Sequence, residues 1–430
     1  MMDPSSPLPR MHGDRHGRPL RVAMLARSAE LFGAERSLFR LAVGFAQWPE
    51  FQPLVIVPGD GSLRARCRAY GVDTALVAHQ PWRRDRRGRW ARLNRHAANL
   101  RAWPRLLRRL QRFGPDVILS STAQVTVGAL AAHRLGVPHA WRLHEMNFAA
   151  QRPALDLGWW LTRRFLRTPG SRLVAVSRAV RDDFQALVGR DDMVAIHEGF
   201  DFPPVPEPPS RHHPQPGNAQ AVAPLELLCL GSLGAGKGIE DALRAAADLV
   251  RCGHQIRLRI VGEGDPVYLA RLHQLSGRLR LNSSVSFSGF VHDTARLFRR
   301  AQITLVCGRN EGFGRAAVES LAHGTPVIAV DGGGLPEIVR PGRTGLLYPA
   351  GDWRALRDRI AALGTDEELY SQIATTGVAW VRQRFPARRF VREMGEVLTQ
   401  AALIGKPELQ RELSTQVQPL PCALPARGLL

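Results

Sequence analysis

Two glutamates, Glu311 and Glu319, bracket a Gly-containing turn in CGRNEGFGRAAVE (307 to 319), between an apolar run and a segment with helical spacing. Gly312 and Gly314 let a ligand approach the backbone, and the amides of residues 313 to 316, from Phe313 and Gly314 to Arg315, open a helix where phosphate oxygens can bind. Eight helical steps turn through roughly 800°, about 80° past two full turns, so the two carboxylates do not stack on one helix face. Glu311 is therefore expected in the loop, with Glu319 on the helix. Carboxylates accept from hydroxyls, and hydroxyls at both ends of a diphosphate describe a nucleotide sugar. Lys237, after the Gly-rich turn GSLGAGKG (231 to 238), can neutralise such a diphosphate. The same turn fits the start of a P-loop, but Gly238 stands where that motif needs the hydroxyl that binds Mg²⁺. A P-loop phosphotransferase is thus the lesser alternative.

These turns need strands to carry them. Short apolar runs at 21 to 25, 54 to 57, 116 to 120, 173 to 177, 225 to 231, 257 to 262, 303 to 307 and 326 to 330 read as buried strands. Helical spacing between them, as in 34 to 46, 239 to 250 and 315 to 324, gives an α/β pattern with parallel sheets. Residues 203 to 224 hold eight prolines and no apolar periodicity, which marks an extended linker. The expected organisation is a disordered segment over 1–19, a domain over 20–202, the linker 203–224, a second domain over 225–384, a helix over 385–404, and a flexible tail over 405–430.

The 430 residues suffice for two domains with buried cores. Lys and Arg number 59 against 38 Asp and Glu, a formal net charge of +21, which favours polyanions of any kind. Five cysteines, at 67, 229, 252, 307 and 422, form no C-x-x-C pair and suggest neither a disulfide framework nor a zinc site. No D-x-D triplet occurs, and no His/Cys/Asp cluster has metal-ligand spacing, so no metal or other cofactor is expected. The opening stretch does not read as a signal peptide, and no run of about 20 apolar residues reads as a membrane span.

The segment EGFGRAAVE, with HGTPVIAVDGGGLPEIV after it and GRTGLLYPAGD at 342 to 352, resembles the donor site of retaining family 4 glycosyltransferases. That resemblance covers roughly residues 20 to 400. It implies a GT-B fold, two Rossmann-like domains facing a cleft, with the final helix crossing back to the first domain. It places Glu311 by the donor sugar and Glu319 by the ribose. It also places the turn IVGEGDP, with Gly262, Glu263 and Gly264, near the nucleotide, and lays the backbone of GFVHD, around Val291, along the base. The family pattern G-R-x-x-x-x-K-G keeps Lys237 and Gly238 here but has Ser232 in place of its arginine, so Arg315, Arg309 or another arginine is asked to compensate. In the first half, LFGAE resembles the family's GGAE loop, with Phe32 for one glycine, and sets Gly33 against the donor sugar and Glu35 at a helix start. His144, in WRLHEMN, is expected near the reacting centre, in acceptor alignment or proton handling. Where relatives often show Asn, this chain has Glu198.

Residues 81 to 112 contain twelve arginines, with Trp82, Trp90 and Trp103 among them. Basic residues beside amphipathic aromatics can hold a helix on an anionic membrane surface, at about 1 kcal/mol per cation. A solvated basic helix is the alternative reading. The expected activity is transfer of a hexose from a nucleotide sugar to an acceptor saccharide, in particular a lipid-linked saccharide of cell-envelope polysaccharide or lipopolysaccharide assembly. The expected place is cytoplasmic, on the inner face of the plasma membrane. No specific nucleic acid is expected as partner, because that reading rests on net charge alone. A nucleic-acid-binding or regulatory protein on a GT-B scaffold is the alternative.

Overall fold

A computed structural model describes residues 18–82, 89–146, 163–168, 170–205, 224–291 and 293–405. The chain folds around two parallel sheets. The first contains β1 (Leu20–Leu25), β2 (Phe51–Val57), β3 (Asp73–Leu76), β4 (Val117–Ser120), β5 (His139–Leu143), β6 (Arg172–Ala175) and β7 (Val194–Ala195), in the order β3-β2-β1-β4-β5-β6-β7. The second contains β8 (Leu225–Leu230), β9 (Ile256–Val261), β10 (Val285–Ser288), β11 (Ile303–Val306), β12 (Val327–Val330) and β13 (Leu346–Tyr348), in the order β10-β9-β8-β11-β12-β13. The near-continuous apolar runs follow from this arrangement. Strands such as β4, β11 and β12 are buried along their whole length, because helices cover both faces of each sheet.

The strand orders decide where ligands can sit. In each sheet the chain runs outward from a central strand and then returns to that strand's other side, so the order reverses between β1 and β4 and between β8 and β11. The loops beyond the carboxyl ends of such a strand pair diverge and leave a crevice. Arg27–Ser28 and Ser121–Thr122 leave the first crevice. The Gly231–Gly238 turn and the Cys307–Gly314 turn form the second.

Helix Ala387–Gly405 runs back from the second domain to the first. Its Phe390, Val391, Met394, Leu398, Ala401 and Ala402 are buried with Leu38, Leu41 and Phe45 of helix Gly33–Ala46. Gly44 sits where any Cβ would strike the Val391 side chain, so the two helices approach closely. The expected linker lies outside the described residues from 206 to 223, as do residues 1–17 and 406–430. Five strands were not among the apolar runs read from sequence: β3, β5, β7, β10 and β13. They are two to five residues long and lie toward the sheet edges, apart from β5, whose HAWRL mixes polar and apolar residues.

The basic stretch needs correction. Helix Arg89–Phe113 packs Ala102, Leu106 and Leu110 on the first sheet, with Trp103 against the same core. Trp82 is buried, its amide bonded to the Gln124 carbonyl and its ring near Phe165. Two of the three tryptophans therefore serve the interior. Trp90, Leu93 and Leu100 remain exposed beside Arg101, Arg105 and Arg108, while residues 83–88 lie outside the described residues.

Candidate active site

The second crevice is built from tight backbone packing. Gly262 lies where a Cβ would collide with the Gly231 carbonyl, and Gly264 where it would collide with that of Leu233. The Leu233 amide donates to the Glu263 carbonyl at 2.8 Å. The 262–264 turn thus clamps the 231–238 turn from one side. On the other, Gly238 holds a left-handed conformation (φ 64°) at the start of helix Ile239–Arg251, and a Cβ there would collide with the Cys307 carbonyl. No serine or threonine fits that position, which removes the P-loop reading on steric grounds.

Across this crevice Lys237 Nζ pairs with Glu311 Oε1, joining residues 74 positions apart. Glu311 lies in the loop, and helix Arg315–Ala322 starts after Gly314, whose φ of 102° turns the chain into it. Only the amides of Ala317 and Val318 reach back to the Gly314 carbonyl, so the first amides of the helix have no intrahelical acceptor and face the loop. Glu319 follows on that helix and accepts from Arg315 Nη2 at 3.0 Å.

The first domain closes the site. Gly33, at the start of helix Gly33–Ala46, would place a Cβ 3.7 Å from Arg315 Cδ, so this turn meets the Arg315 helix directly. Gly312 packs on the His144 carbonyl, and its own carbonyl accepts from Ser177 Oγ at 2.6 Å. Glu337 Oε1 and Oε2 accept from the Ala179 and Arg178 amides at 3.0 and 3.1 Å, capping helix Arg178–Val188 from the opposite domain. His197 Nε2 donates to the same carboxylate at 2.6 Å. Burial pulls the Glu337 carboxyl up, but the bonds from His197, Ala179 and Arg178 outweigh it and hold the group at about 2.

His144 stands 3.8 Å from Glu198 through Nδ1, while its Nε2 is buried without a partner. Burial pushes its imidazole down to about 3, against the pull of Glu198, so the ring is neutral at physiological pH. Glu198 is buried between Arg142 Nη2 at 3.1 Å and Arg315 Nη1 at 3.6 Å. Burial raises its carboxyl, yet Arg142, His144 and Arg315 together bring it to about 2. Glu35 is also buried and accepts from the Ser28 amide at 3.1 Å, with Arg27 at 3.4 Å, so it braces the β1 exit loop from below. Burial raises its carboxyl above the ordinary range.

The sequence reading placed Gly33, His144, Lys237, Glu311, Gly312, Gly314, Arg315 and Glu319 at one site, and these residues line one junction. Others stand differently. The Phe313 side chain lies in the junction core among Phe200, Phe385 and His197, which leaves its amide alone for a ligand. Val291 packs its side chain against Leu228, Val261 and Phe298, so only its backbone is available. Ser232 and Glu263 are exposed at the crevice rim. Arg309 turns toward Asp241 at 3.8 Å and does not join Arg315 and Glu319. Sequence reasoning missed Arg142 and Arg36. Arg36 comes from the Gly33 helix, and the fields of Glu319 and Arg315 reach it; its single-turn spacing from Gly33 was the only available signal.

Comparison with known proteins decides the family. The family model described as Glycosyltransferase Family 4 matches residues 33–202, and that described as Glycosyl transferases group 1 matches residues 217–380. Between them they take in both domains. The chain belongs to the GT-B glycosyltransferases of family 4. The chain is 34% identical over 169 residues to the putative colanic acid biosynthesis glycosyltransferase WcaL of Escherichia coli, across 37% of this chain and 41% of that one. It is 30% identical over 286 residues to the D-inositol 3-phosphate glycosyltransferase of Streptomyces bingchenggensis, across 60% of each chain. The matches thus span about two fifths to three fifths of these relatives' lengths. Among solved structures, Anabaena HepE in complex with UDP and glucose superposes with a TM-score of 0.73 at 22% identity, over 88% of this chain and 99% of that one. The shared fold is two Rossmann-like domains.

Proposed function

We propose that this protein transfers a hexose from a nucleotide sugar to an acceptor hydroxyl with retention of configuration. The observation that carries the reading is the Lys237–Glu311 pair at the β8/β11 crevice, beside the open amides of the Arg315 helix. A diphosphate entering there displaces Glu311 from Lys237 and takes the ammonium and the amides as its own partners. Glu311 is then free to accept from sugar hydroxyls, and Glu319 from the ribose. Donors fixed before the reaction stabilise the charge that builds on the departing diphosphate. The bond from the anomeric carbon to the phosphate oxygen breaks, and the bond to the acceptor oxygen forms on the same face. The acceptor proton passes to the leaving phosphate oxygen, so no carboxylate nucleophile is needed. Neutral His144 takes the acceptor-aligning role. Lys237 and Arg315 supply the positive charge in place of a metal.

The acceptor in this reading is a lipid-linked saccharide of envelope polysaccharide assembly. A relative named for colanic acid biosynthesis supports that class. So does the exposed face of helix Arg89–Phe113, with Trp90, Leu93 and Leu100 among arginines, which suits the anionic inner surface of a plasma membrane. Among the described residues no helix is long and apolar enough to cross a membrane.

The test is a thermal-shift screen of the full chain against UDP, GDP, ADP and their hexose conjugates, with and without EDTA. A ligand that binds only the native state raises Tm. The expected result is an EDTA-insensitive shift with one nucleotide. No shift with any of them, alongside tight and salt-sensitive binding to nucleic acid, would replace this reading with that of a binding protein on the same scaffold.

A further inference from the structure

Glu198 is a buried carboxylate set between two arginines, one from each domain. It lies on the segment after β7, 1% exposed, and Oε1 accepts from Arg142 Nη2 at 3.1 Å. Arg142 is itself fixed, donating Nη1 to the Ala175 carbonyl at 3.1 Å with its guanidinium 5.1 Å over the Phe390 ring. The other oxygen, Oε2, is buried with no partner at hydrogen-bond distance, and the Ser37 hydroxyl and His144 also bear on the carboxylate. Facing it at 3.6 Å is Arg315 Nη1, also buried with no hydrogen-bond partner. The two belong to different domains.

Arg315 has one partner on its own helix, Glu319 four residues on. That pairing alone would lay the side chain along the helix surface. Instead the guanidinium sits 4.7 Å over the Phe200 ring, with Cδ against the Gly33 turn and Nη1 toward Glu198, all three from the first domain or the segment leaving it. A buried carboxylate is costly unless its charge is used. Here the fixed Arg142 anchors one oxygen, and the field of the other draws Arg315 across the junction. The crevice turn at 231–238 brings a single cation, Lys237, to a diphosphate that carries two charges.

We propose that Glu198 is a positioning residue which, anchored by Arg142, holds the Arg315 guanidinium at the cleft so that it becomes the second cation for the donor diphosphate. This rests on the nucleotide-sugar reading above. Glu198 acts only through Arg315 and touches no ligand itself.

The experiment uses the full chain and whichever of UDP, GDP and ADP raises the wild-type Tm most, with the matching monophosphate. Dissociation constants are measured for wild type, Glu198→Gln, Arg315→Gln and the double variant. A charge-assisted contact to the second phosphate predicts that each single variant weakens the diphosphate about tenfold while the monophosphate changes little. The double variant is expected to bind no more weakly than Arg315→Gln. A merely structural Glu198 would lower Tm and leave the ratio of the two affinities unchanged, which overturns the inference. Additive losses in the double variant overturn it too. Should Glu198→Gln fail to fold with Arg142 left unpaired, Arg142→Met with Glu198→Met removes both buried charges together, and the same loss in the ratio is expected. If wild type binds no nucleoside diphosphate, the proposed function fails. If wild type binds and the ratio survives Glu198→Gln, only this inference fails.

Discussion

Gly312→Ala isolates the junction between the domains from the stability of either one. The Gly312 backbone lies outside the left-handed region, so alanine meets no conformational penalty there. Space is the constraint. A Cβ on Gly312 falls so close to the His144 carbonyl that the two must separate by about 1.2 Å to reach ordinary contact at 3.4 Å, and Val180 Cγ2 lies only 3.5 Å away. Both obstacles belong to the first domain, so the strain is relieved by separating the domains. Overpacking of this kind costs about 1–3 kcal/mol, and losing the Ser177 bond to the Gly312 carbonyl adds about 0.5–1.5 kcal/mol. Docking is thereby weakened by on the order of 2–4 kcal/mol, a factor of roughly 30 to 1000. Arg315 loses Phe200 and Glu198 with the docked junction, so nucleoside diphosphate affinity falls at least about tenfold. Calorimetric titration reads that affinity, and small-angle scattering reads the larger radius of gyration. Gly277→Ala, on helix Pro266–Arg278, is the control, because its Cβ meets nothing within 4 Å and its φ is ordinary. Wild-type affinity and an unchanged radius for Gly312→Ala would refute the reasoning.

Lys237→Ala is expected to abolish the nucleotide-induced Tm shift while leaving the fold intact, since the lysine is partly exposed and pairs only with Glu311 in the described site; an undiminished shift removes its diphosphate role. The acid limb of stability carries the Glu337 signature. Its carboxyl is depressed from 4.5 to about 2, so its contribution is complete above about 4.5 and is lost as pH falls toward 2. Glu337→Gln is expected to flatten that limb in urea titrations taken between pH 5 and 2, and an unchanged limb contradicts the assignment. His144, held neutral with its pKa near 3, is expected to give the donor-hydrolysis rate no ionisation between pH 5 and 8; a limb there that disappears in His144→Asn would contradict this. For the membrane reading, Trp90→Ser with Leu93→Ser and Leu100→Ser is expected to abolish flotation with anionic liposomes without shifting nucleotide affinity, and wild-type flotation independent of anionic lipid would sink it.

Much of the fold was legible because parallel strands buried on both faces leave unbroken apolar runs such as LVIV and VIAV. Glu311 and Glu319 were legible for a related reason, since helical angular arithmetic alone put one in the loop and the other on the helix. Local spacing could not show pairings made across the sheet or between domains. Lys237 finds Glu311 only because β8 and β11 are neighbours, and Glu198 meets Arg315 only because the Gly33 turn and the Arg315 helix are docked. Phe313 is read from sequence for its amide, and nothing in the local spacing shows that its ring packs at the junction with Phe200, Phe385 and His197. Trp82 reads as interfacial from its arginine neighbours, but it is buried with its amide on the Gln124 carbonyl and its ring near Phe165 and His96.

The net charge of +21 describes this protein's surface and not its cleft. At the junction Lys237 faces Glu311, Arg315 faces Glu319 and Glu198, Arg142 faces Glu198, and Arg27 faces Glu35. Each of these four cations is already paired, so none of them presents a bare charge to an anion. On the proposed function, a ligand must offer two charges at the right spacing to displace Glu311 and share Arg315, and hydroxyls for the carboxylates it displaces. Inorganic anions lack those hydroxyls. A sugar joined to a nucleoside through a diphosphate offers both, so on that reading selectivity resides in the carboxylates as much as in the cations. The arginine excess outside the cleft, concentrated between residues 81 and 112, attracts anions at long range, an attraction that salt screens within about 10 Å.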